Sequence, residues 1–249
     1  MTYVQRKHVR NFYNQVRVDT SIATSQKAHK YLRRLMEYAV ETGLRDDNPA
    51  LRMNVSHSDS REAVWHVPHL ERILQDALEG GVAASGNLIP PRPSLATAIA
   101  IAYDTGQRAG DVISLTWPQY DGEGLTIKQK KTKKDLWVPL SERTREMIDG
   151  IERSSIYILV SEMTGRPYEG KAFSRLFRKF RQRAGIEGVH FHDIRRTVAS
   201  ELGNRGATST EISSITCHAP ESNVIKTYVR PEREAALRAA AKRKHNKKP

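Results

Sequence analysis

Six side chains in this sequence have the types and order to carry out nucleophilic and acid–base chemistry together: Arg108, Lys131, His192, Arg195, His218 and Tyr228. A guanidinium presents a planar fork of donors that grips the oxygens of an anion such as phosphate bidentately, and it stays protonated at any relevant pH. Two such forks, Arg108 and Arg195, can stabilise charge that develops on one phosphate without help from a metal. A phenol has a pKa of about 10 and needs a base or strong electrostatic support before it can attack. His192 stands three residues before Arg195, a spacing that sets the two side by side on a helix. Singly, each residue is ordinary. A lone arginine near a helix start is usually a solvated charge, and a tyrosine near a helix end usually packs. Their order along the chain is what points to chemistry.

The elements that must position these residues can be read from apolar spacing. Arg108 follows Gly106, which ends an almost uniformly apolar run over 95–103, the pattern of a helix buried on all sides. Lys131 sits in a lysine-rich turn between two alternating runs, Leu125 and Ile127 before it and Leu136, Val138 and Leu140 after it, which together predict a β-hairpin. His192 and Arg195 lie on a predicted helix whose Ile194, Val198 and Leu202 stripe faces the core. Thr208 and Glu211 form a capping box that opens a short helix ahead of His218. Tyr228 lies ten residues beyond His218, just before Arg230-Pro231 breaks the helix. Upstream of Arg195, Phe173, Leu176, Phe177 and Phe180 make one face of a helix. Arg175, Arg178, Lys179, Arg181 and Arg183 make that helix strongly basic.

The N-terminal part reads as two helices, with Val9, Phe12, Tyr13 and Val16 on the first and Leu32, Leu35, Met36, Ala39 and Val40 on the second. Gly43 and Asn48-Pro49 stop the second helix. Residues 52–64 are polar and aperiodic, as in a linker, and a new helix opens at Pro68. The expected architecture is therefore mainly α with a small antiparallel β-sheet, in two domains, 1–58 and 59–249. The βαβ alternation of a doubly wound nucleotide-binding fold is absent.

Composition narrows the function classes. The 249 residues carry 41 Lys and Arg against 28 Asp and Glu, a net charge of +13 that calls for a polyanionic partner such as nucleic acid. A single cysteine, Cys217, excludes an internal disulfide framework and fits a reducing compartment. No run reaches the roughly 18 apolar residues of a membrane span, so the chain reads as cytosolic with no membrane partner. The carboxylates are scattered, the nine histidines show no ligand spacing, and no GxxxxGK[ST] loop occurs. No metal, nucleotide or other cofactor is expected.

Four stretches in order resemble the tyrosine site-specific recombinase, or phage integrase, family. TGQRAGDVISLTW (105–117) is similar to the family's first box, which makes Arg108 its first arginine and Asp111 its supporting acid. IKQKKTKKDLWVPL (127–140) is similar to its hairpin, with Lys131 before Thr132 as the lysine. FHDIRRTVAS (191–200) is similar to the second box, giving His192 and Arg195, and ITCHAPESNVIKTYV (215–229) to the last, giving His218 and Tyr228. AVETGLRDDNPA (39–50) resembles the end of the family's core-DNA-binding domain. The chain departs from the pattern at Cys217, where glycine is usual, and at Arg196, where a second histidine is common. The interval from His218 to Tyr228 is one residue longer than usual. The N-terminal segment is short, as if it lacked the first part of the core-binding domain and any arm-binding domain.

The resemblance implies that Tyr228 attacks a phosphodiester to leave a 3′-phosphotyrosine and a free 5′-hydroxyl, with Arg108, Arg195 and His218 on the phosphate. His192 is the candidate base, and Lys131 the candidate acid for the leaving oxygen. One ester replaces another, so no ATP is needed. It also implies double-stranded DNA as partner, a homotetramer at the synapse, and an accessory DNA-bending protein. The 232–244 helix is then either docked on a neighbour or a solvated basic tail. Two other readings stay open. A type IB topoisomerase shares the phosphotyrosine but characteristically has lysine where this chain has His192. A catalytically silent DNA-binding derivative would form no covalent adduct.

Overall fold

The structure, a computed structural model, describes residues 3–56, 63–82, 86–128 and 135–216. Lys131, His218 and Tyr228 lie outside the described residues, as do Cys217 and the expected 232–244 helix. The chain divides into two compact units, Met1–Glu62 and Ala63–Pro249.

The first unit pairs α1 (Arg6–Asp19) with α2 (Ile22–Glu41). Ser21 caps α2, its hydroxyl accepting from the Thr24 amide at 3.2 Å. Val9 and Tyr13 pack with Ala50 and Met53, and Leu32 is partly buried against them. The chain after α2 is tied back by polar contacts. Asn48 donates to the Arg33 carbonyl and to Glu37, and the Ser56 amide donates to the Tyr13 hydroxyl. Of the apolar residues at helical spacing, two of four on α1 and two of five on α2 are buried, with Phe12 and Leu35 at 45% and 47% exposure. Two helices and one returning segment cover a single side, so the outer half of a wide apolar stripe stays in solvent.

The second unit is built around α4 (Pro93–Thr105), against which α3 (Val67–Glu79), α6 (Glu142–Asp149) and α8 (His192–Asn204) all pack. Leu95, Ile99 and Ile101 are fully buried on α4, as the unbroken apolar run predicts. A two-residue hairpin, β1 (Gly81–Val82) and β2 (Leu88–Ile89), follows α3. After the short α5 (Ala109–Val112) comes a second hairpin, β3 (Gly124–Lys128) and β4 (Asp135–Pro139). Its antiparallel register pairs Leu125 with Val138 and Ile127 with Leu136. Leu125, Ile127 and Val138 turn into the core, because alternate residues share one face. Ser141 caps α6, and both its amide and its hydroxyl donate to Asp104 at 2.8 Å. The basic helix α7 (Gly170–Arg183) buries Phe173, Phe177 and Phe180. The last described helix is α9 (Ser209–Thr216), beside α8 and β4. The fold is mainly α with two small antiparallel sheets, one of which the sequence did not announce.

Candidate active site

The site begins where α4 stops. Gly106 takes a left-handed conformation (φ 60°, ψ 22°) that ends the helix and turns the chain into α5. Its carbonyl accepts from Arg195 Nη1 at 3.0 Å, so the turn before Arg108 is bonded directly to the helix carrying Arg195. A side chain at Gly106 would also meet the Thr216 methyl group at 2.9 Å and Val198 at 3.5 Å. Glycine is needed there for conformation and for space together. Arg108 is the N-cap residue of α5, and its half-exposed guanidinium lies 4.0 Å from the buried Asp111 carboxylate. A carboxylate on that side leaves the outer edge of the fork facing outward while limiting its swing.

Arg195 is 2% exposed, the largest fully buried side chain described. His192, one turn earlier at the start of α8, remains open to solvent. Its pKa is nonetheless held below the ordinary 6.5, first by partial desolvation, then by the guanidinium of Arg195, with Asp193 opposing and Arg108 adding to the depression. Arg108, His192 and Arg195 therefore share one positive field at one corner of the unit. A neutral imidazole beside two cations is suited to accept a proton near neutral pH.

The segment leading into His192 is held from several directions. Phe191 meets Phe173 and Phe177 edge-on, with ring centroids 5.1 and 5.2 Å away, and Trp65 packs edge-on against Phe177 at 5.8 Å. Trp65 Nε1 donates to the His190 carbonyl at 2.9 Å, and the Trp65 amide donates to Thr197 Oγ1 at 2.8 Å. The His190 amide donates to Asp193 at 2.7 Å. On the other flank, Gln107 is buried and its amide donates to the carbonyls of Thr105 and Ile215, both at 2.9 Å. It straps the end of α9 to the turn that carries Arg108. The capping box before α9 forms as expected, with the Thr208 amide donating to Glu211 at 2.6 Å and the Glu211 amide to Thr208 Oγ1 at 3.2 Å.

Of the six residues singled out in the sequence, the described structure brings together three. Sequence reasoning missed Gln107, Trp65 and Arg181, which hold the corner rather than line it. Gln107 stands inside the first box and Arg181 inside a run of bases, where residue type alone does not mark a buried, bonded side chain. Among the described residues no group of three or more metal-ligating side chains comes together, and no helix is long and apolar enough to cross a membrane.

Comparison with known proteins fits this arrangement. A family model described as the phage integrase family matches residues 83–235. A putative integrase/recombinase of Haemophilus influenzae is 24% identical over 242 residues, covering 92% of this chain and 62% of that protein. The chain thus spans less than two thirds of that relative's length. Among solved structures, a lambda integrase dimer bound to a COC′ core site (residues 75–356 of that protein) superposes with a TM-score of 0.72 at 19% identity, over 88% of this chain and 81% of that one. A lambda integrase tetramer bound to a Holliday junction gives a TM-score of 0.72 at 18% identity, over 89% and 66%. At these identities the likeness speaks for the fold.

Proposed function

The chain belongs to the phage integrase family, and on that premise we propose that it is a site-specific DNA recombinase that cuts and rejoins strands through a 3′-phosphotyrosyl intermediate, serving the integration or excision of a phage or other mobile element. The observation that carries this reading is the joining of Arg108 and Arg195 through the Gly106 turn, with a neutral His192 in their field.

Two guanidiniums fixed before the reaction stabilise the charge that peaks on the non-bridging oxygens of a pentacoordinate phosphate. Fixing matters as much as charge. Arg195 is immobilised by burial and by the Gly106 carbonyl, so little reorganisation is left for the transition state. His192 accepts the proton of the attacking phenol, assigned to Tyr228. His218 is a further donor to the phosphate, and Lys131 protonates the departing 5′-oxygen. The scissile P–O bond is replaced by a P–O bond to tyrosine, so the energy of the ester is kept and religation is the reverse of the same step.

Double-stranded DNA is the substrate and partner, held largely through phosphate contacts by the +13 chain. The first unit serves as a core-DNA-binding domain and the second as the catalytic domain. Assembly as a tetramer on two paired sites is supported by the lambda integrase complexes, which hold core-site DNA and a Holliday junction. An accessory DNA-bending protein is a further partner, and the setting is the host cell's cytoplasm. Because the two arginines are assigned the charge stabilisation, cleavage of the DNA flanking the protein's own gene is expected to proceed in excess EDTA with no added nucleotide. Activity that vanished in EDTA and returned with Mg²⁺ would overturn this assignment.

A further inference from the structure

Beside the catalytic corner lies a cavity of roughly 800 Å³, lined by Lys171, Arg175, Arg178 and Arg181 from one face of α7 and by His190 and His192 from the start of α8. Three of those cations are exposed, but Arg181 is 8% exposed. Its described hydrogen bonds go to the Val189 carbonyl and His190 Nδ1, and its buried Nε has no partner among the described residues. No carboxylate pairs with it among the described residues. A buried cation is costly unless an anion compensates it, and the cavity wall carries no carboxylate, its charged residues being further cations.

The spacing says what kind of anion fits. Residues 171, 175, 178 and 181 recur at intervals of four and three, so they lie along one helix face, over about 15 Å at 1.5 Å per residue. A DNA strand carries one phosphate per about 3.4 Å of helix axis. A row of cations that long matches several successive phosphates, whereas a single carboxylate or free phosphate would leave most of it unused. The geometry points to a second phosphate subsite on α7: it takes backbone phosphodiesters of the bound strand next to the one presented to Arg108 and Arg195, with Arg181 as its buried anchor. The inference rests on the recombinase reading and adds to it how the strand is set in register with the reacting groups. Arg181 also bonds the two residues just before Phe191 and His192, so strand binding and the placement of His192 share one side chain.

The test is binding of the full chain to short duplexes of several arbitrary sequences, with affinity measured against salt. Each phosphate contact adds about 0.9 to the slope of log K against log salt. Arg178→Gln and Arg175→Gln, both at exposed positions, are each expected to lower that slope by about one, equally on every duplex. Arg181→Met is expected to do the same, while Arg181→Lys, which keeps the charge, retains the slope. Arg143→Gln is the control, because that guanidinium is already paired with Glu71 at 2.6 Å. Slopes equal to wild type in the α7 variants overturn the subsite, as does an equal loss in Arg143→Gln. A loss confined to particular sequences overturns it too, since that marks base reading. If Arg181→Met melts lower yet keeps its slope, Arg181 is structural and the site lacks its anchor. Salt-independent binding by the wild-type chain would sink the DNA reading itself, a result distinct from unchanged variant slopes.

Discussion

Arginine and lysine carry the same charge but not the same geometry, and the chemistry proposed for this site depends on the difference. Arg108→Lys should leave the fold intact, because the side chain is half-exposed and its pairing with Asp111 is long. Strand cleavage is nevertheless expected to fall by roughly 10²–10³-fold, as when one preorganised donor is lost. Cleavage within a few-fold of wild type would remove Arg108 from the site. His192 adds a pH prediction. Its pKa lies below 6.5, so the base stays neutral, and the acid limb of kcat/KM should fall below that pH; His192→Gln should abolish the limb. Stability follows the same sign. The unfolded chain takes up this proton near 6.5 and the folded one only at lower pH, so the contribution is complete above 6.5 and is lost as pH falls toward the folded value. An acid limb at or above 6.5 would contradict the assignment. Lys131 can be tested by chemistry alone. A thiol leaves unprotonated because its pKa is about 8.5, so Lys131→Ala should be slow on a normal duplex and restored by a bridging 5′-sulfur. Rescue for Lys133 or Lys134 instead would move the acid along the hairpin.

At the scale of elements, the turn at Gly106 has the most to lose. Gly106→Ala places a Cβ in the left-handed region, costing about 1–2 kcal/mol, and sets it 2.9 Å from the Thr216 methyl group. The melting temperature is expected to drop by roughly 2–8 °C for a unit of this size, with cleavage reduced further because a shifted turn displaces the carbonyl that holds Arg195. An unchanged melting temperature would mean that the turn is looser than it looks. Much of the scaffold here was legible in the sequence. The uniform apolar run of α4, the phenylalanine face of α7, the hairpin alternation and the Thr208–Glu211 box are local patterns, and local patterns leave a periodic trace. The hairpin of β1 and β2 has two residues per strand, too short for any period to show. The spacing in α1 and α2 marks an apolar face but not the width of what covers it, so it does not tell which part stays exposed. Trp65, Gln107 and Arg181 were invisible for another reason. Trp65 bonds His190 and Thr197, and Gln107 bonds Ile215, all far along the chain and near only in the folded structure. Arg181 bonds only eight and nine residues ahead, but nothing in a run of basic residues marks which of them is buried.

For the whole molecule, the order of six residues along the chain gave the reading, and the structure supplies the joining of three of them through Gly106 and the field around His192. The +13 charge, the basic face of α7 and the two-unit organisation all suit a protein that grips a DNA duplex. The chemistry itself comes down to one covalent bond. The most direct measurement is denaturing electrophoresis in SDS of the wild-type chain and Tyr228→Phe after incubation with a nicked duplex from the flanking DNA. An SDS-resistant adduct joined to the 3′ end of the strand at the break is expected for the wild type, and none for Tyr228→Phe at undiminished DNA affinity. An adduct formed by the Phe variant, or none formed by a wild-type chain that binds and cleaves the duplex, would contradict this expectation.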